Sequence, residues 1–222
     1  MREPIGLVFF HGWGLDADFW QPLAARLALY PQLFCDAGYR GKPLLPDDSA
    51  ALRWVGIGHS LGFARALQTA PVKGWAGLVS IAGFPHFCEL APGSGGQPRR
   101  VVERMVRVFA REPHAVLRDF LERCGLLALM PDDAVALDLA RLNADLALLL
   151  DINVTAQLAA FVAPLLTLAA ADDVIVSPQL TASTFAKRPN TRLQWVAQGG
   201  HALGFVGAST CAAAITEFLG DL

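Results

Sequence analysis

The sequence is poor in charge and in cysteine. Charged residues make up 17% of its 222 residues, against roughly 25% in an average soluble protein, while 54% are hydrophobic. This balance excludes an intrinsically disordered chain. The chain has four cysteines, and no two of them lie at the short sequence spacing that is typical of a zinc site or a disulfide framework. We therefore expect reduced, mostly buried thiols at Cys35, Cys88, Cys124 and Cys211.

Long hydrophobic runs are also missing, although the mean hydropathy is +0.40. The most apolar stretch, residues 156–171, contains Gln157 and Pro164 and is shorter than the roughly 20 residues that a membrane span needs. The apolar run at residues 5–10 is too short for the core of a signal peptide. We expect no membrane association and, by default, a cytoplasmic location.

Two further absences limit the function. The net charge is −2 and the isoelectric point is near 6.2, which argues against nucleic-acid binding as the main task. The sequence has no His-x-x-x-His, no Cys-x-x-Cys and no phosphate-binding loop, so we predict neither a metal nor an organic cofactor.

What the sequence does contain is an alternation of short apolar runs with helical patterns. This alternation is typical of an α/β fold, with a mostly parallel sheet of about six strands and helices on both faces. The predicted helices of the core span residues 179–186 and 205–219, in addition to one after each of the first and third strands. The predicted strands span residues 5–10, 33–36, 54–57, 75–81, 164–170 and 192–196.

The alternation is interrupted in the middle of the chain. Residues 87–160 show helical patterns at 101–111, 115–124 and 134–150 and no convincing strand. We predict that residues 1–86 and 161–222 form the α/β core and that residues 87–160 form a helical lid.

The sequence Gly58-His59-Ser60-Leu61-Gly62 matches the G-x-S-x-G pattern between a predicted strand and a predicted helix. In this context the serine sits on a sharp turn, and the two glycines remove side chains that would collide there. The pattern predicts that Ser60 is a nucleophile. An ordinary glycine-rich turn is the alternative.

A serine nucleophile needs a histidine base and a carboxylate that orients the base. His201 follows the last predicted strand and so lies at the same sheet edge as Ser60, whereas His11 and His59 are tied to glycine turns. Asp172 and Asp173 follow the preceding strand, where the acid is expected. From position alone either carboxylate fits, and its neighbour would cap the loop or face solvent.

Acyl transfer also needs amide donors for the oxyanion that develops on the carbonyl oxygen. We expect one donor from Leu61, directly after the nucleophile. The other is expected from Trp13, in the turn His11-Gly12-Trp13-Gly14 that follows the first strand. A turn that serves only to reverse the chain is the alternative for this segment.

Together these motifs resemble the α/β-hydrolases, in order and spacing over the whole chain. Within that superfamily the sequence is most similar to the pimeloyl-[acyl-carrier protein] methyl ester esterases of biotin synthesis. The similarity rests on the opening HGWGLDADFW, on the segment DLALLLDINVTAQLAAFVAPLLTLAAADD before the acid, and on a helical lid of matching length. The sequence departs from the esterases at Phe63, where many members have glycine, and at residues 36–41, which replace the usual D-x-P-G-x-G.

The resemblance implies a cytoplasmic serine carboxylesterase without a cofactor. Ser60 would be its nucleophile, His201 the base, and Trp13 and Leu61 the oxyanion donors. Asp173 would be the acid, since an apolar residue follows the acid by three positions in the esterases, and Val176 does so here. The implied substrate is an acyl ester on an acyl-carrier protein. A general short-chain carboxylesterase or thioesterase, and a catalytically silent binding protein of the same fold, are the alternatives.

The predicted lid is basic. Residues 99–123 hold seven arginines and four acids, a charge of +3 that leaves −5 for the rest of the chain. Four of these arginines share one face of a predicted helix, which favours docking of an acidic carrier protein, although a solvated face has the same pattern. Apolar lid residues, Phe109 and Phe120 among them, would cover an acyl pocket or simply pack on the core. The four arginines are Arg100, Arg104, Arg107 and Arg111.

Overall fold

The computed structural model describes residues 3–45, 52–71, 73–132 and 134–222. In this part of the chain a single sheet of six parallel strands forms the centre of the molecule, in the order β2-β1-β3-β4-β5-β6. The strands are β1 (Ile5–Phe10), β2 (Gln32–Cys35), β3 (Arg53–His59), β4 (Gly77–Ile81), β5 (Leu165–Ala170) and β6 (Thr191–Val196). The predicted parallel α/β sheet is confirmed.

The strands form because nearly continuous apolar runs can be buried on both faces of a parallel sheet. Alternate residues of β1 enter two separate hydrophobic clusters, with Leu7 and Phe9 on one face and Val8 and Phe10 on the other. Phe10 lies opposite Gly58, so β1 and β3 end together. The loops that follow the strands therefore open onto one edge of the sheet.

Helices cover both faces of the sheet. Outside the segment between β4 and β5 they are α1 (Gln21–Arg26), α2 (Leu61–Gln68), α7 (Pro178–Phe185), α8 (Leu203–Val206) and α9 (Ala208–Gly220). The prediction of one closing helix over 205–219 is wrong, because Gly207 leaves the helical conformation and separates α8 from α9. No single described helix is long and apolar enough to cross a membrane, although α9 and the preceding helical segment Gly200–Val206, at 75° to each other, together pass on length and composition.

The segment between β4 and β5, residues 82–164, is called here the inserted segment. Its described residues contain no strand of the sheet, four α-helices and one short 3-10 helix, Leu127–Leu129. The predicted helix over 134–150 begins only at Leu139, where the Asp138 carboxylate accepts the N–H of Arg141 and caps the first turn. A short fourth helix was not predicted. The helices are α3 (Arg99–Phe109), α4 (Pro113–Arg123), α5 (Leu139–Asp151) and α6 (Thr155–Ala160).

Candidate active site

Ser60 occupies a strained turn between β3 and α2. Its φ of +54° and ψ of −126° lie outside the regions that non-glycine residues usually adopt. A Cβ at Gly62 would lie 2.0 Å from the carbonyl oxygen of Phe10, and one at Gly58 would lie 2.4 Å from the Cα of Phe63. Both glycines are therefore required for the chain to turn so tightly here.

A chain of hydrogen bonds runs from Ser60 to a carboxylate. His201 Nε2 lies 3.0 Å from Ser60 Oγ, and His201 Nδ1 lies 2.9 Å from Asp173 Oδ2. Because a carboxylate only accepts, Nδ1 carries the proton and Nε2 is free to accept the proton of the serine hydroxyl. All three residues are buried, with Ser60 only 6% exposed. A serine hydroxyl, an imidazole and a carboxylate are thus assembled at one sheet edge, in the order predicted for nucleophile, base and acid.

The two adjacent aspartates have different partners. Asp173 Oδ1 accepts the backbone N–H groups of Ile175 and Val176, at 2.8 and 2.9 Å, while its Oδ2 faces His201. Asp172 instead accepts the N–H groups of Gly199 and Gly200, at 3.3 and 2.8 Å. The structure therefore brings Asp173 to His201. Asp172 is the alternative acid of the sequence analysis, and it braces the loop that carries His201.

The turn after β1 lies against Ser60. A Cβ at Gly12 would lie 3.0 Å from the Cβ of Ser60, so the glycine permits this close approach. Leu61 is the first residue of α2 and has no partner for its N–H within the helix. Among the described residues neither this N–H nor that of Trp13 donates to a protein acceptor. Trp13 and Leu61 remain the predicted oxyanion donors.

Solved structures with this architecture come from several organisms. An esterase from Exiguobacterium antarcticum matches with a TM-score of 0.84 and 14% identity, over 99% of this chain and 93% of its own. A bromoperoxidase from Bacillus anthracis matches with a TM-score of 0.80 and 16% identity, over 99% of this chain and 92% of its own. An enol-lactonase from Burkholderia xenovorans matches with a TM-score of 0.76 and 15% identity, over 99% of this chain and 92% of its own.

The chain has the α/β-hydrolase fold. At these identities the likeness concerns the fold, and the neighbours differ in the reaction that their names state. No protein-family model matches the chain, and no curated protein sequence matches it. Its chemistry must therefore be argued from its own residues.

The inserted segment brings two aromatic rings beside Trp13 and His201. The Phe120 ring lies 5.0 Å from the Trp13 ring and 6.5 Å from the His201 ring, measured between centroids. The Phe109 ring also packs against Trp13, with 6.0 Å between the ring centroids. Phe120 thus lies beside the predicted base, whereas Phe109 supports Trp13.

Polar contacts fix α5 of the inserted segment to the core. Trp13 Nε1 donates to the carbonyl of Leu142 at 2.8 Å. Asp145 Oδ2 accepts from the Tyr39 hydroxyl and from the Arg65 guanidinium, each at 2.6 Å. Sequence reasoning missed this cluster, because its members are far apart in the chain and no short motif contains them. Arg65 belongs to α2, so α5 is bonded to the helix that begins directly after Ser60.

The four predicted docking arginines are all exposed and form no ion pair among the described residues. Arg99 differs, since it pairs with Glu103 and Asp151. The helical prediction for Arg111 is wrong, because α3 ends at Phe109 and Arg111 lies in the following turn. Arg100, Arg104 and Arg107 lie on the outer face of α3.

Three other kinds of site are relevant in the described part of the chain: a metal site, a reactive cysteine and a ligand cavity. No group of three or more histidine, cysteine or acidic side chains is placed to hold a metal ion there. All four cysteines are free and buried, as predicted, and burial raises the pKa of Cys35 and of Cys211 to about 12. Two cavities of about 510 and 530 Å³ have no triad residue in their walls.

Proposed function

We propose that this protein is a serine carboxylesterase. The observation that carries the proposal is the hydrogen-bonded series Ser60, His201 and Asp173 on a strained strand-to-helix turn. Strain of this kind costs about 1–3 kcal/mol and persists at functional sites where the surrounding structure enforces it. A turn built only for chain reversal needs neither this conformation nor a histidine at 3.0 Å.

In the first half of the proposed reaction Ser60 Oγ attacks the ester carbonyl carbon. Its proton passes to His201 Nε2, and the Asp173 carboxylate stabilises the imidazolium that forms. The carbonyl oxygen takes up the electron pair of the C=O bond and accepts hydrogen bonds from the amides of Trp13 and Leu61. When the tetrahedral intermediate collapses, the bond to the alcohol oxygen breaks and His201 returns the proton to it.

The second half repeats these steps with water. His201 takes a proton from water as the water oxygen attacks the acyl carbon. It returns the proton to Ser60 Oγ as the bond between the acyl carbon and Oγ breaks. The products are a carboxylic acid and an alcohol. None of these steps calls for a group beyond the residues named.

Labelling with a fluorophosphonate tests the proposal directly. We expect Ser60 to be labelled and Ser60→Ala to be unlabelled and to lose ester hydrolysis by a factor of about 10⁴ or more. Ser80→Ala is the matched control, because it also removes a buried serine hydroxyl, one without a partner among the described residues. A folded wild type that takes no label would contradict the proposal and favour a silent binding protein.

For the substrate we propose the methyl ester of a pimeloyl chain carried on an acyl-carrier protein, as the family resemblance suggests. Phe120 of the inserted segment lies beside His201 and Trp13, and its apolar ring suits an acyl chain bound next to Ser60. The exposed arginines of α3 suit an acidic carrier, because unpaired surface charges of one sign accelerate encounter with a partner of the other sign. Such a partner would place the protein in the cytoplasm.

Charge reversal tests the carrier. Arg104→Glu with Arg107→Glu is expected to raise KM for a carrier-bound methyl ester about tenfold and to leave p-nitrophenyl esters unaffected. Arg118→Glu with Arg123→Glu is the control, since these exposed arginines lie on α4. Equal effects on both substrates, or equal effects of both pairs, would contradict carrier docking and favour a general short-chain carboxylesterase or thioesterase.

A further inference from the structure

His59, the residue before Ser60, lies between the parts of the site that must act together. Its Nε2 lies 2.9 Å from the carbonyl oxygen of His201, and the two imidazole rings lie 4.8 Å apart. A Cβ at Gly12 would lie 2.9 Å from His59 Nδ1, so the ring also touches the turn after β1. The side chain is 1% exposed. His59 thus contacts the base and the predicted oxyanion turn from the nucleophile's own strand.

The protonation state of His59 follows from these contacts. A carbonyl only accepts, so Nε2 carries the proton and donates it. Burial lowers the pKa of His59 well below its usual value, and the neighbouring His201 and His11 lower it further. Nδ1 has no partner among the described residues, so a proton there would have no acceptor. His59 is therefore a neutral donor.

The loop that carries His201 needs such a support. Gly199 and Gly200 precede the histidine with φ of +133° and +51°, in conformations that glycine adopts readily. Asp172 holds their amides from one side, and His59 holds the carbonyl of His201 from the other. A charged donor would oppose the imidazolium that forms on His201, whereas a neutral one does not.

We propose that His59 is a positioning residue that fixes the backbone and ring of His201 for proton transfer. The proposal rests on the proposed function, because it assigns His59 a role through the base of that reaction. It predicts an effect on kcat that passes through His201 and depends on a donor at the position of Nε2.

Two substitutions separate the donor from the packing. His59→Phe keeps a ring and removes the donor, and we expect kcat to fall about tenfold to a hundredfold with KM within about twofold, as for a displaced catalytic group. His59→Gln places an amide N–H near the same carbonyl and is expected to restore kcat to within about threefold of wild type. His59→Asn, which is too short to reach the carbonyl, replaces His59→Phe if the latter does not fold.

The matched control is His86→Phe. His86 is also buried and also bonds a backbone carbonyl, that of Cys88 at 3.0 Å. We expect its substitution to leave kcat unchanged. In a His201→Ala background, His59→Phe should change the residual rate by less than about twofold, since a residue that acts through His201 has nothing left to position.

The rate of fluorophosphonate labelling, measured on the same variants, distinguishes the two possible failures. A wild type that takes no label would overturn the proposed function and this inference with it. A labelled wild type would overturn the role of His59 alone if His59→Phe and His86→Phe slowed labelling equally. The role of His59 would also be overturned if kcat of His59→Gln were no higher than that of His59→Phe. The same holds if His59→Phe lowered the residual rate of His201→Ala as much as it lowers kcat of the wild type.

Discussion

Around Ser60, polar side chains are held by backbone groups, whereas the inserted segment adds many buried apolar side chains to the core. The carboxylate of Asp173 takes two amides and one imidazole, and that of Asp172 takes two amides. The inserted segment instead adds Leu117, Leu121 and other buried side chains to the hydrophobic cluster of the sheet.

The difference has a physical reason. Hydrogen bonds to backbone amides are directional and fix a side chain within tenths of an ångström, which proton transfer requires. Apolar contacts are non-directional and tolerate small displacements. We infer that the triad loops are built for precision, and that the inserted segment is built to cover them, with α5 as its fixed base.

The largest expected contrast lies within the triad loops. Asp173→Asn removes the charge that orients His201 and should lower kcat by a factor of about 10³–10⁴. Asp172→Asn keeps an amide oxygen for the N–H of Gly200 and should cost about tenfold or less. Steady-state hydrolysis of a p-nitrophenyl ester measures both. Similar losses in the two variants would mean that bracing the loop matters as much as orienting the ring.

The attachment of α5 provides the next test. Asp145→Asn leaves the guanidinium of Arg65 and the hydroxyl of Tyr39 without their shared carboxylate. Removing one partner of a buried ion pair costs about 3–5 kcal/mol, and because Arg65 is partly exposed we expect about 2 kcal/mol here. Urea unfolding measures the change in the free energy of unfolding.

Glu103→Gln is the control for Asp145→Asn, because it removes an exposed ion pair with Arg99 on α3. Its expected cost is below about 0.5 kcal/mol. If the two substitutions destabilised the protein equally, α5 would be held by its apolar face alone, and Asp145 would not make it the fixed base of the inserted segment.

Much of the triad could be predicted because parallel topology brings the ends of strands together. Ile5–Phe10 has the predicted bounds, and the positions of Ser60 and His201 after β3 and β6 were sufficient to place them at one edge. The choice between Asp172 and Asp173 was not determined by position. It depends on which carboxylate turns toward the His201 ring. The direction of a side chain in a loop is set by the folded backbone, and position in the sequence does not distinguish two adjacent aspartates.

Other features could not be predicted, since they depend on contacts between distant residues. His59 was assigned to its own turn because its partner, the carbonyl of His201, lies 142 residues away. No short motif singles out Asp145, because its partners, Tyr39, 106 residues away, and Arg65, come together with it only in the folded chain. The break at Gly207 shows the same limit, because a periodic apolar pattern continues through a glycine that ends one helix and begins another.

The smallest expected effect concerns the pH dependence of stability. His59 faces the titratable rings of His201 and His11 and packs on Phe19 and Trp20, and its folded-state pKa is depressed. Below the unfolded-state pKa of about 6.5 the unfolded chain binds a proton that folded His59 does not, so stability is lost as pH falls. One such group contributes about 1.4 kcal/mol between pH 7.5 and 5.5.

His59→Phe and His59→Gln should both remove this contribution, because neither side chain titrates. Their free energies of unfolding, measured by urea at pH 7.5 and 5.5, should therefore converge with that of the wild type at the lower pH. The two variants should share this shallower dependence while differing in kcat, since only glutamine supplies a donor to the carbonyl of His201. If the pH dependence of both variants matched that of the wild type, His59 would not be a neutral donor in the folded protein.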